Sequence, residues 1–485
     1  MAIEWPSIAL GSGTGTTYTS PDNYTWVWSG DSWKGLMGNA LGGFPAPWVI
    51  FINGNPIAYR TLSEAMNAAV ADQTIHLYGN NVIEPPVGII LKDKVNINLN
   101  GHTYKIQATP TTNYGFVNTT GAISVKIYNG EIQYIDDNSS YLLFYNGVSQ
   151  SSFVFENVKF SSVNSVCGQF NCSVTGGSFH STNNGGFVHF PNDPAVNTIV
   201  KDVYGSSINN SGVSVVQSGA TPVIATYTNV IANCTIGSEN TAFYVYTVAG
   251  TIYLFNCKAM HDGSSSTGFL LEGGVNNGAQ GKRIRADKCY GYSRSLAGIS
   301  CKGTILTDCV AEGGPYSFEN TGFSEFIGCS DSMTDHTGGY LYSLITTLAY
   351  DLTIDNCAFS YPITSPAATT ASAKVSITNT TITPPYYGII FKDSPNVKFN
   401  IENCVIGDGR SAINPIRLGG TSGSRIINCT LMSNNVNIKA IEIPSPTSYP
   451  ASSFYLVANI CIGCSGSDHP QLTSTISSNK GNLIT

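Results

Sequence analysis

Acidic side chains are scarce in this sequence, and their densest group lies between residues 308 and 335. Asp308 and Glu312 flank Cys309, while Asp331 and Asp335 follow Cys329 with His336 beside them. Paired carboxylates cut glycosidic bonds: one protonates the leaving oxygen and the other acts as base or nucleophile. Counted from the nearest cysteine, Glu312 is third and Asp331 second, which on stacked strands sets them roughly above one another. Asp351 and Asp355 would continue that column. One layer of separation gives about 5 Å, the spacing of a retaining hydrolase, and two give about 9 Å, that of an inverting one. Glu312, Asp331 and Asp335 are therefore the candidate catalytic residues, and solvated loop charges are the competing reading. A sparser set is Asp262 and Glu272, with Arg283 and Arg285 nearby. Lyase chemistry wants a basic residue and often calcium, and Arg283, Arg285 and Arg410 are too scattered for it.

Aromatic side chains offer a second kind of chemistry, stacking on sugar rings. All five tryptophans lie in the first 48 residues: Trp5, Trp26, Trp28, Trp33 and Trp48. Tyr24, Trp26 and Trp28 alternate on one face of a strand, and Ser29-Gly30-Asp31-Ser32 turns before Trp33. Trp26, Trp28 and Trp33, with Tyr340 further on, are the candidate glycan-binding residues. A hairpin that merely packs on the rest of the chain is the alternative. His189, between Val188 and Phe190, reads as a structural strand residue. Exposed tyrosines among Tyr244, Tyr246 and Tyr342 could stack on sugar rings as well, and core or inter-subunit contacts are the competing reading. No nucleotide loop, dinucleotide fingerprint, nucleophile elbow or His-Glu-x-x-His stands in the sequence, so no cofactor and no metal site is implied.

The elements that must carry these groups are written in a repeat. Asn256-Cys257, Asp308-Cys309, Asn356-Cys357, Asn403-Cys404 and Asn428-Cys429 each follow a short alternating strand. Asn171-Cys172 and Asn233-Cys234 look the same, and Lys288-Cys289 and Gly328-Cys329 are weaker copies. Asn129, Asn157, Asn379 and Asn459 hold the place without cysteine. Alternation sends one side chain inward and the next outward. Asparagine tolerates the left-handed bend that other side chains resist, and a small apolar cysteine behind it fits a core. Intervals of 20 to 32 residues fit one coil of three short strands, and a coil that cannot bury its own inner face must stack on another.

Composition agrees. Of 485 residues only 11% are charged, against roughly 25% in ordinary domains, while 42% are hydrophobic. Solubility then rests on Asn, Ser, Thr and Gly, which suits strands and tight turns rather than helices. A net charge of −7 gives no footprint for nucleic acid and no basic patch for an anionic membrane. No apolar run reaches the 18 residues or so of a membrane span, and Met1 to Pro6 lack a signal peptide's start. Thirteen cysteines, an odd count, are expected to be reduced core residues rather than bridges. Cys461-x-x-Cys464 is a lone pair, too little for zinc.

Thr61-Leu62-Ser63-Glu64 is a capping box, predicting a short helix near 61–70 that covers the open end of the solenoid. The run RTLSEAMNAAVADQTIHLYGN, followed by VNINLNGHTYKI, resembles the first coils of pectate-lyase-like right-handed β-helix proteins, phage tailspikes among them. The segment around Tyr24, Trp26, Trp28 and Trp33 is similar to small aromatic modules near the ends of bacteriophage tail-fibre and other virion proteins. These resemblances imply an all-β, right-handed single-stranded parallel β-helix with a capping helix and an aromatic β-hairpin module in front. Residues 1–48 would form an attachment or assembly module, 49–460 the β-helix and 461–485 a tail. The function implied is a tailspike- or fibre-like virion protein, a homotrimer made in the host cytoplasm. Its partners would be host-surface polysaccharide and other virion proteins, without nucleic acid or membrane insertion. The alternatives are a depolymerase, hydrolase or lyase, on the same fold, and a non-catalytic structural or decoration protein.

Overall fold

The computed structural model describes residues 46–79, 81–84, 88–107, 114–135, 142–236, 241–264, 266–273, 282–332, 342–348, 350–365, 371–391, 394–410, 414–418, 424–442 and 455–463, with the backbone alone at 17–19, 25–28, 33–35, 454, 465–467 and 483–484. They form two compact units, Met1–Val215 and Val216–Thr485. Each is a right-handed parallel β-helix.

In the second unit, one coil runs through Thr251–Phe255, bends at Asn256, continues as Lys258–His261 and closes with Phe269–Gly273. The next coil repeats it with Ile284–Asp287, Tyr290–Ser293 and Ala297–Lys302, each strand parallel to its predecessor. Alternation is the cause of the core. On the third strands Phe269, Ile299, Phe318, Leu344, Ile363, Ile389, Ile416 and Ile441 pair in register from coil to coil, all buried. In the first unit the corresponding stack is aromatic. Phe116, Phe144 and Phe170 lie nearly parallel, with centroids 5.5 and 5.1 Å apart. Offset stacking of this kind adds about 0.5–1.5 kcal/mol per pair beyond area burial.

The bend between first and second strands is left-handed in every coil of the second unit from Asn256 on. Asn256, Lys288, Asp308, Gly328, Asn356, Asn379, Asn403, Asn428 and Ala458 have φ between 49° and 65°. Intervals run from 20 residues (Asp308 to Gly328) to 32 (Asn256 to Lys288), as the repeat predicts. Three of the expected corners need correction. Asn233 lies inside the strand Ile231–Cys234, and Asn229 makes the bend instead, at φ 54°. Ala458, not Asn459, turns the last described coil. The corner expected at Asn171 is made at Gly176 and Gly177, φ 77° and 92°. A Cβ on Gly176 would sit 2.0 Å from the carbonyl oxygen of Phe155, so only glycine fits there.

Exposed corner side chains clasp one another along the axis, Asn403 donating to Asn379 (3.3 Å) and Asn428 to Asn403 (2.8 Å), while Asn379 Nδ2 donates to Oδ1 of Asp355 (2.8 Å), the residue before the corner Asn356. Behind them the cysteines form an inner column. The thiol of Cys309 donates to the carbonyls of Ala286 and Thr307, both at 3.4 Å, and Cys329 does likewise to Leu306 and Ile327. Thr380 takes the cysteine's place in its coil, its hydroxyl donating to Thr378 O at 2.8 Å. Contact with the preceding thiol in the column, together with burial and against the pull of the following thiol, holds Cys289, Cys309 and Cys329 far above the ordinary thiol range, so they stay protonated.

The entry is covered as the capping box predicts, by the helix α1 (Leu62–Ala68), which ends two residues short of Val70. Thr61 Oγ1 accepts the Glu64 amide at 3.1 Å, while Glu64 answers to the amide of Arg60 (3.0 Å). Lys92 Nζ closes the other end on the carbonyls of Asn67 and Ala69. Glu84, 3% exposed, ties the helix to the solenoid: it accepts from the Leu62 amide, the Tyr104 hydroxyl (3.1 Å) and the Trp48 indole. In front, Thr25–Trp28 pairs antiparallel with Trp33–Gly35, Trp28 opposite Trp33, and a third strand, Thr17–Thr19, joins the expected hairpin. Among the described residues no helix is long and apolar enough to cross a membrane.

Candidate functional site

The column expected from the cysteine count does not form. Asp331 pairs in register with Ala311, and Tyr292 pairs with Glu312, so Glu312 and Asp331 fall on opposite faces of the pleat. Asp355 belongs to yet another column, opposite Ile327 on the first strands. The physical reason is that a one-residue difference in register reverses every side chain of a strand. Asp331 is instead a staple. Its carboxylate accepts the Ser343 hydroxyl and the Ser360 amide (2.8 Å), and Ser343 Oγ accepts the Tyr361 amide at 2.8 Å. Burial pushes its carboxyl above the ordinary value.

Glu312 faces outward in a small tyrosine patch. Tyr290 donates to it at 2.8 Å and Ser332 at 3.4 Å. Burial, then the carboxylate itself, pushes the Tyr290 hydroxyl up to about 12. Tyr244 makes the same bond to Glu272 (2.9 Å) on the third strands. His189 is fully buried and held neutral, its pKa lowered to about 4 by burial. Asp335, His336 and Tyr340 lie outside the described residues, as do the side chains of Trp26, Trp28 and Trp33.

A concave feature lies elsewhere, on the outer face of the first strands of the second unit. It is an open groove of about 690 Å³ spanning the coils that begin at Ile284, Thr304, Ser324, Leu352 and Ala373. Outward positions of these strands stack in register: Arg285 opposite Ile305, Ile305 opposite Glu325, Glu325 opposite Thr353, Thr353 opposite Ser376. Lys282 pairs with Glu325. Arg285 lies 5.9 Å from the ring of Tyr253, and Asp351 Oδ1 accepts the Lys374 amide at 2.7 Å. Phe323 at the lip meets Tyr350 edge-on at 5.0 Å. Charge, hydroxyl and aromatic edge thus alternate along one wall, the mixture that suits a polyhydroxylated chain lying across the coils.

Sequence reasoning noticed Arg285 and Asp351 but judged the basic residues scattered, and it missed Lys282, Phe323, Glu325 and Lys374 as a group. One signal existed. In the four coils from Ile284 to Leu352 the second residue of the first strand faces outward, so aligning those strand starts would have drawn Arg285, Ile305, Glu325 and Thr353 into one column.

No known protein family and no curated protein matches the chain. Among solved structures it is similar to a tailspike protein of Escherichia coli bacteriophage HK620 in complex with a pentasaccharide, at 13% identity and a TM-score of 0.32, over 87% of this chain and 73% of that one. The same tailspike with a hexasaccharide gives 12% identity and a TM-score of 0.27 over the same shares. Pectate lyase Pel9A gives 13% identity and a TM-score of 0.23, over 67% and 73%. At these values no residue role and no activity carries over to this chain.

Proposed function

We propose that the protein is a bacteriophage virion protein, tailspike- or fibre-like, that binds host-surface glycan along the groove of its second unit. The groove carries the reading: several coils contribute residues to an open, polar trough that Phe323 also lines. Rigid strands hold those residues in place without loop closure, which lowers the ordering cost of binding a long ligand. The virion assignment rests on the resemblance of the solenoid's entry and of the front segment to phage proteins, and the trimer on the shelter that three solenoids side by side would give apolar outer faces. A glycan array probed with the intact chain tests the reading. Phe323→Ala and Glu325→Gln should each weaken any polysaccharide signal without changing the circular dichroism; undiminished binding by both variants would remove the groove from the proposal.

One observation favours an enzymatic variant of the same reading. Glu325 and Asp351 are two carboxylates from adjacent coils lining a single groove, the residue types that glycan hydrolysis needs. Release of reducing ends from a bound polysaccharide, abolished in Glu325→Gln, would establish it. Binding without release would leave an adhesin.

A further inference from the structure

On the outer face of the first unit, Ser161, His180 and Ser206 stand opposite one another on three successive coils, with Glu131, Lys159 and Tyr204 in the column beside them. They belong to the strands Ser124–Ile135, Ser152–Ser162, Ser173–Ser181 and Tyr204–Ser207, so rigid pairing rather than a loop sets their spacing. His180 Nδ1 lies 2.6 Å from Ser206 Oγ, the one hydrogen bond of that hydroxyl among the described residues. Both side chains are half-buried, which leaves their outer edges open to a ligand. The Tyr204 ring packs against the imidazole, centroids 5.3 Å apart. Beside them Lys159 pairs with Glu131 at 3.0 Å, and Ser161 donates to the same carboxylate at 3.3 Å. Burial, then the Lys159 ammonium, lowers the pKa of His180 against the pull of Glu131, so the ring is neutral at physiological pH and ready to take a proton. A cross-strand contact of this kind adds little to folding, whereas a hydroxyl within reach of a neutral imidazole is the pairing that activates serine as a nucleophile.

We propose that Ser206 and His180 are the nucleophile and base of an esterase that removes acyl groups carried by a polyhydroxylated chain. The carrier rests on the glycan reading above; the chemistry stands on these residues alone. Ser206 Oγ bonds to the acyl carbon as its proton passes to Nδ1 of His180. The ester C–O bond breaks, and the leaving alcohol takes that proton. Water then attacks the acyl-serine and gives a proton to Nδ1, which returns it to Oγ as the carboxylic acid departs. Glu131 favours the imidazolium formed in each step, and Lys159 is the one cation among these six positions to meet the charge on the carbonyl oxygen.

p-Nitrophenyl acetate and a fluorophosphonate probe, each given to the full chain, test the chemistry. The parent should cleave the ester about 100-fold faster than Ser206→Ala, and the probe should mark Ser206 by mass spectrometry. His180→Gln should abolish that mark although Ser206 is still present, an effect that a merely structural hydrogen bond would not produce. Acetate release from an O-acetylated polysaccharide, lost in Ser206→Ala, should follow. Equal rates in the parent and Ser206→Ala, or a probe adduct indifferent to His180→Gln, overturns the esterase and leaves glycan binding standing. Cleavage of the small ester with no acetate released from any acetylated polysaccharide overturns the carrier.

Discussion

The ammonium of Lys282 pairs with the carboxylate of Glu325 two coils further along, passing over Ile305 in the coil between. The contact bridges residues far apart in sequence and clamps the groove's floor across three layers. Both side chains are about a third exposed, so solvent takes back much of the attraction. Lys282→Met should lower stability by no more than about 1 kcal/mol in urea unfolding. A loss of several kcal/mol would mean that the pair holds the fold rather than the site.

Asp331 and Glu312 differ in what they hold up. Removing the Asp331 carboxylate strands the Ser360 amide and the Ser343 hydroxyl together, so Asp331→Ala should cost about 2–3 kcal/mol. Glu312→Gln keeps an acceptor for Tyr290 and should stay within about 0.5 kcal/mol of the parent. Chemical denaturation of the two variants side by side decides between them, and equal effects would contradict the staple.

Stability should carry a pH signature from Glu84. Burial raises its pKa above the ordinary 4.5, against the pull of its hydrogen bonds. The folded state then holds the proton more tightly than the unfolded chain. Its contribution to stability is greatest below pH 4.5 and declines as pH rises through the folded value. The stability of the parent relative to Glu84→Gln should therefore fall between acid and neutral pH. A difference that stays constant or grows refutes this.

Much of this solenoid is legible in the sequence because its coils obey local rules. Period-two alternation marks the strands, Thr61 and Glu64 mark the cap, and asparagine marks most corners. What stays hidden is register. Asn233-Cys234 satisfies the corner motif, yet the bend belongs to Asn229, because only the pairing of Ile231 with Lys258 fixes which residue ends the strand. Asp331 went astray for the same cause. The groove is hidden for another reason: its residues, spread from Lys282 to Ser376, meet only after coils of unequal length have been laid down.

Ala458 is the odd corner, a residue with a Cβ and no clasping side chain at φ 54°. Forcing such a residue left-handed costs about 1–2 kcal/mol, and asparagine tolerates the bend better. Ala458→Asn should raise stability by about 0.5–1 kcal/mol, read as a shift in the unfolding midpoint. An unchanged or lower midpoint would sink the account of the corners.

The thiol column predicts chemical silence. Cys257, Cys289, Cys309, Cys329, Cys357, Cys404 and Cys429 are all buried, and a thiol shut away from solvent is out of a reagent's reach. Iodoacetamide added to the native protein at pH 8 should leave these seven unlabelled by mass spectrometry and label them after denaturation. Rapid native labelling at Cys309 would show the column to be open.

The side-chain clasp running through Asn379, Asn403 and Asn428 makes the coils that turn at these corners end in the same fitting. Identical couplings turn a coil into an exchangeable brick. Duplication or deletion of one whole unit, from corner to corner, preserves every joint on either side, whatever the length of the loops it carries. A lineage can therefore lengthen the trough, or swap the wall of one layer, without renegotiating the scaffold.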